Sequence, residues 1–190
     1  MNPLTWWKNE YGEAAPVGHV LRLRYSEDWI RFHSLPESKR YPDSEQEMDE
    51  VLRRAATVAT SLFETGEAIY LYISRCLHED EQVPAAEEIA GEVTEAGSVT
   101  LWANHGDVPP EEDDAFATWA RSDAWPPSYF SNLIRQVANE EARFVCLVSP
   151  KSGNIFCPYD GGIDVFCSSS ELHEPLKFLR GWRSQRSDGL

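Results

Sequence analysis

Ile155-Phe156-Cys157-Pro158-Tyr159-Asp160-Gly161-Gly162-Ile163-Asp164-Val165-Phe166-Cys167 decides the fold class. Two β-like runs, Ile155 to Cys157 and Ile163 to Cys167, flank Pro158 to Gly162. Asp-Gly between such runs signals a hairpin, because tight hairpin turns hold residues at φ > 0, where glycine carries no steric penalty. A hairpin joins antiparallel neighbours, so the sheet is expected to be mostly antiparallel. Upstream, Lys151 to Asn154 reads as a turn and Arg143 to Val148 as a strand. Downstream, a helix is expected over roughly 170 to 183, with Leu172, Leu176, Leu179 and Trp182 inward. Pro175 makes that helix kink or start near 174.

Further out, Ser44 opens the clearest helix, expected over 44 to 64. Ser44 and Glu47 have capping-box spacing. Met48, Val51, Leu52, Ala55, Ala59, Leu62 and Phe63 form an apolar stripe at helical spacing. Asp49 with Arg53, and Glu50 with Arg54, sit four apart on the wet side, and Gly66 is the stop. Val20 to Tyr25 and Trp29 to His33 both alternate, which reads as two strands. A four-residue loop, Ser26 to Trp29, would put Leu23, Tyr25, Ile30 and Phe32 on one face and Arg22, Arg24, Arg31 and His33 on the other. Glu67 to Ser74 and Ser98 to Ala103 are further strand candidates. Pro126-Pro127 starts another helix, with Phe130, Leu133, Ile134 and Val137 inward. The expected fold is α+β: one domain over residues 1 to 190, a mostly antiparallel sheet, and about three helices.

The chain has 190 residues and a formal net charge of −15. That sign opposes binding to nucleic acid and to anionic membranes, both of which are attracted by cations. It suits a basic protein partner. Residues 76 to 120 hold twelve acids and no Lys or Arg, and read as a solvated, loop-rich acidic region. The N-terminus lacks the apolar run of a signal peptide, and no stretch has the ~20 apolar residues of a membrane helix. A cytoplasmic protein is expected. Cys76, Cys146, Cys157 and Cys167 form no C-x-x-C pair and read as free thiols. The histidines show no metal-ligand spacing, and no phosphate-binding glycine loop occurs. No metal and no cofactor are expected.

The block Trp29-Ile30-Arg31-Phe32-His33-Ser34-Leu35-Pro36-Glu37-Ser38-Lys39-Arg40-Tyr41 resembles an uncharacterised bacterial family of unknown function. Its members share a W-x-R-F/I-H-S-L-P-x-S-K-R-Y block and a later P-Y-D-G-G-x-D block, matched here by Pro158 to Asp164. The resemblance extends to a tryptophan-containing terminal helix and a Gly-Leu tail. It implies a bacterial protein and brings no activity with it. Some such families include immunity partners of toxins, which is an association only.

These residues define one candidate site for an anion or a partner: Arg22, Arg24, Arg31, His33, Lys39 and Arg40, together with Tyr159, Asp160 and Asp164. Arginine and lysine suit a phosphate or carboxylate, and a histidine beside them can move protons near neutral pH. The competing reading is a clamp, in which Arg31 or Arg40 pairs with Asp160 or Asp164 and pins the hairpin. Two functions follow. One is a non-catalytic, immunity-like binder of a basic protein. The other is an enzyme or sensor for a small anion at the basic cluster. With no catalytic motif in the sequence, the chain reads as a binder rather than an enzyme. No oligomeric state is assigned.

Overall fold

The computed structural model describes residues 1–76, 99–102, 115–167 and 176–183. Seven strands form one sheet in the order β1-β7-β6-β5-β2-β4-β3. These are β1 (Trp29–His33), β2 (Ala68–Cys76), β3 (Val99–Trp102), β4 (Ala115–Ala124), β5 (Val145–Val148), β6 (Ile155–Tyr159) and β7 (Gly162–Phe166). Every paired neighbour is antiparallel. The α-helices are α1 (Pro3–Tyr11), α2 (Gly18–Arg24), α3 (Glu45–Leu62) and α4 (Phe130–Ala138). The fold is α+β, as the hairpin signal implies.

The sheet is buried on both faces. Ile69, Leu71 and Ile73 of β2 join Phe32, Leu147, Phe156 and Val165 beneath α3 and α4. Tyr70 and Tyr72, of opposite parity, join Cys146, Cys157 and Phe166 beneath α1 and α2. Successive strand residues point to opposite faces, so a strand covered on both sides loses its polar alternation and reads as a nearly continuous apolar run. The second layer is tied on by polar groups as well as area. Tyr72 Oη donates to the Pro3 carbonyl at 2.7 Å, and Trp7 Nε1 donates to the Ala14 carbonyl at 2.7 Å.

Helix α3 forms where its stripe predicts. Ser44 Oγ accepts from the Glu47 amide at 3.3 Å. The reciprocal half of the box is displaced by one residue, because the Glu47 carboxylate accepts from the Asp43 amide instead. Glu50, not Asp49, pairs with Arg53, and it pairs with Arg54 as well. Arg54 is buried rather than wet, and its Nη1 donates to the His33 carbonyl at 3.1 Å. Phe63 caps the helix in extended conformation, and Gly66 at φ 84° turns the chain into β2.

Four expectations are corrected. Residues 18 to 24 are helical, so Val20 to Tyr25 is not a strand and forms no hairpin with β1. Val17, Val20 and Leu21 are buried while Leu23 is exposed, which is i, i+3, i+4 spacing rather than alternation. Strand β1 pairs instead with β7. The shared basic face of Arg22, Arg24, Arg31 and His33 fails with the hairpin. Second, residues 115 to 120 belong to β4, not to a loop; small Ala115, Ala117 and Ala120 blur its period of two. Third, the helix after Pro126-Pro127 begins at Phe130, where the Phe130 amide donates to the Pro127 carbonyl. Fourth, Lys177–Trp182 is a 3-10 helix, with Leu176 and Leu179 buried against the α3 layer. Leu172, Pro175 and most of the acidic 76 to 120 region lie outside the described residues.

Candidate functional site: a cleft at the turn end of the β6–β7 hairpin

The two motif blocks meet because of register. Pairing of β1 with β7 sets Arg31 opposite Asp164 and His33 opposite Gly162. The Arg31 guanidinium then makes a two-pronged pair with the Asp164 carboxylate, Nε to Oδ1 and Nη2 to Oδ2, both at 2.7 Å. Asp164 is buried, and its Oδ1 also accepts from Trp29 Nε1 at 2.9 Å. The Arg31 guanidinium lies 4.7 Å from the Tyr159 ring centre and 5.2 Å from that of Trp29. Planar charge-assisted pairing and aromatic contact together satisfy a charge that burial would otherwise penalise.

Glycines permit the close approach. A Cβ on Gly162 would collide with the Phe32 carbonyl oxygen and the Tyr159 hydroxyl. A Cβ on Gly18 would stand 3.2 Å from Cys157 Cβ and 3.3 Å from Asp164 Oδ2, so glycine there lets α2 approach the sheet without displacing those neighbours. The Ser34 amide donates to the Gly161 carbonyl at 3.2 Å, which fastens the chain after β1 to the hairpin turn. Arg40 Nε donates to Asp160 Oδ2 at 2.6 Å across that same turn.

Of the sequence candidates, Arg31, Arg40, Tyr159, Asp160 and Asp164 come together around one cleft. The others lie elsewhere. Lys39 turns towards α3, where its ammonium meets both Glu47 oxygens at 2.6 Å and Asp43 at 2.8 Å. Glu37 and Ser38 before it have φ of 55° and 58°, a left-handed step that sends Lys39 that way. His33 does not line the cleft. Burial, then the Arg31 and Arg54 charges, hold its imidazole below the ordinary value, so it is neutral at pH 7. Arg22 sits on α2, with its guanidinium 5.3 Å from the Trp29 ring centre, and Arg24 is exposed at the end of that helix.

The cleft has a volume of about 490 Å³ and lies between the start of α2, the segment Glu140 to Val145, and the β6–β7 turn. Its wall adds His19, Glu140, Arg143 and Phe144, none of which the sequence reading singled out. Arg143 lies 3.8 Å from Glu140. Glu140 and Phe144 both sit at positive φ, 60° and 52°. Such backbone in non-glycine residues is strained and persists only where packing over-determines it. Phe144 has that packing: its ring centre is 5.3 Å from Phe116 and 5.9 Å from His19. No local pattern marks Glu140, Arg143 and Phe144 as wall residues, because the segment carrying them folds back only after α4 ends, and His19 lies within α2.

Burial, the neighbouring Cys146 and Asp164 all raise the Cys157 thiol, so it is not a thiolate nucleophile. The Tyr159 hydroxyl is pushed up to about 12, chiefly by burial. Among the described residues no group of three or more His, Cys, Asp or Glu is placed to hold a metal ion. Among them, too, no helix is long and apolar enough to cross a membrane.

Residues 17–184 match a family described as a domain of unknown function, DUF3885. No curated protein and no solved structure matches the chain.

Proposed function

The chain belongs to the DUF3885 family, a domain of unknown function, and from that premise we propose that it is a non-catalytic binding protein for a small anion. The ligand is a phosphate or carboxylate compound received in the cleft at the hairpin turn. One observation carries the reading: in a chain of net charge −15, three guanidinium groups, Arg31, Arg40 and Arg143, line the same cleft as His19. Arg31 is committed to Asp164 and acts as a fixed wall. Arg40 is largely exposed and bonds Asp160 through Nε. An incoming anion competes with Asp160 for Arg40 and with Glu140 for Arg143, and two-pronged pairing with a guanidinium fixes its orientation.

Thermal denaturation with inorganic phosphate and with short dicarboxylates tests this. At a hundredfold excess over the dissociation constant, a ligand binding only the folded state stabilises it by about 2.7 kcal/mol. The Arg40→Ala/Arg143→Ala double variant, which spares the buried pair, is expected to lose that stabilisation. Absence of a saturable shift, or an equal shift in the double variant, overturns the proposal.

A second reading is the binding of a basic protein in the manner of an immunity partner. The net charge and the twelve acids within residues 76 to 120 support it. It predicts a complex that dissociates as salt rises above physiological strength, where charge attraction is screened. A chain that stays monomeric and unaccompanied at low salt counts against it.

A further inference from the structure

A second cavity, of about 410 Å³, lies at the other end of the same hairpin, where β6 begins and β7 ends. Its walls come from α1, from the turn before β1 and from the β5–β6 turn. Trp6, Tyr11 and Tyr25 supply three aromatic rings, and Glu10 and Asp28 supply two carboxylates. Tyr11 stands at 84° to Tyr25 with ring centres 5.8 Å apart, and at 65° to Trp6 with centres 5.9 Å apart. Rings in such different planes cannot stack into one another. They meet edge to face along one side of the cavity, and the face of each ring carries negative potential.

From this arrangement we infer that the cavity binds an alkylammonium head group, most simply a methylated one, in an aromatic cage closed by Glu10 and Asp28. The cage is preorganised. Trp7 packs one side of Tyr11 at 4.3 Å between ring centres, and Tyr11 Oη donates to the Gly153 carbonyl at 3.4 Å. Asp28 is anchored by its own backbone, whose carbonyl accepts from the Cys167 amide. Lys151 also lines the cavity, but its ammonium is held by Glu64 at 2.6 Å, so the two cage carboxylates outweigh it. A cation over several ring faces is attracted by their quadrupoles, and the attraction grows as water is excluded. Trp6, Glu10 and Tyr11 precede residue 17, where the family match begins. The cage therefore rests on the N-terminal helix of this chain and is independent of the anion reading.

Isothermal titration of the full chain with tetramethylammonium chloride is the test, with 3,3-dimethylbutanol, whose tert-butyl group is the uncharged isostere of a trimethylammonium group, as control. Saturable binding of the cation and none of the isostere is expected. Tyr25→Ala is expected to weaken it by roughly tenfold or more. Glu10→Gln/Asp28→Asn, which leaves the rings and the Asp28 backbone bond in place, carries the same expectation and serves if Tyr25→Ala does not fold. The Arg40→Ala/Arg143→Ala variant is expected to bind tetramethylammonium as the parent does. A peptide bearing trimethyl-lysine that binds more tightly than tetramethylammonium identifies the source as a partner protein's side chain; equal affinity identifies a free amine. No saturable binding, equal binding of the isostere, or full affinity in the ring and carboxylate variants overturns the inference.

Discussion

The two ends of the β6–β7 hairpin are built on different physics. The turn end is held by directed charge: Arg31 on Asp164 across 133 residues of sequence, and Arg40 on Asp160 across 120. The open end is held by area, with Tyr11 packed edge to face on Trp6 and Tyr25 and tilted at 31° over Trp7. A charge pair fails when one partner is removed, because the other is left buried and unpaired. An aromatic cluster loses stability in proportion to the area removed. The two ends should therefore answer differently to mutation, acid and salt.

The largest effect is expected at the turn end. Asp164→Ala removes the two-pronged carboxylate partner of the largely buried Arg31 and should cost about 3–5 kcal/mol in urea denaturation. If it costs less than Tyr25→Ala at the open end, the contrast is wrong. Acid gives the next largest effect. Hydrogen bonds from Arg53, then from Arg54, pull the Glu50 carboxyl down to about 2, overcoming the opposing effect of its burial. Unfolded Glu50 binds a proton near its ordinary value, so between there and about pH 2 the unfolded state holds more protons. Glu50 therefore stabilises the fold fully above that window, and the contribution drains as pH falls through it, with a total of about 1–2 kcal/mol. Arg54 carries this to the His33 carbonyl beside the turn end, so hydrogen exchange should rise in β1 before it rises in α1. Glu50→Gln should flatten the pH dependence.

Smaller effects sharpen the same contrast. Arg40→Ala removes a largely exposed pair and should cost under about 1 kcal/mol, less still at high salt. A larger loss in thermal denaturation would make Arg40 structural and remove it from the ligand site. Tyr11→Phe removes only the long hydrogen bond to Gly153 and should cost about 0.5 kcal/mol or less. A clear loss would show that the open end also depends on directed polar contacts.

Legibility in the sequence followed the range of each signal. Helix α3 was readable because its cap and stripe lie within consecutive turns of one helix. The β6–β7 hairpin was readable because Asp160-Gly161 is a two-residue turn between apolar runs, although neither residue takes the positive φ expected of that turn. Helix α2 was misread because Arg22, Leu23 and Arg24 alternate, while the spacing that governs it includes Val17, outside the window. Strand β4 was hidden by its alanines. The candidate site was half legible. The cations and acids of the two motifs were visible, but the strand that would join them was assigned the wrong neighbour. His19 and Glu140 carried no signal, and Arg143 and Phe144 read only as the start of a strand that in fact begins at Val145.

Composition and local pattern set the charge, the antiparallel class and the principal helix, since each depends on residues a few positions apart. Which charges pair and which rings form a wall depended on the strand order, which brings β1 beside β7 and lays α1 and α2 over one face. The charge pairs of the turn end join segments more than a hundred residues apart. They are chosen by burial of the whole sheet on both faces, a condition that no short window of residues contains.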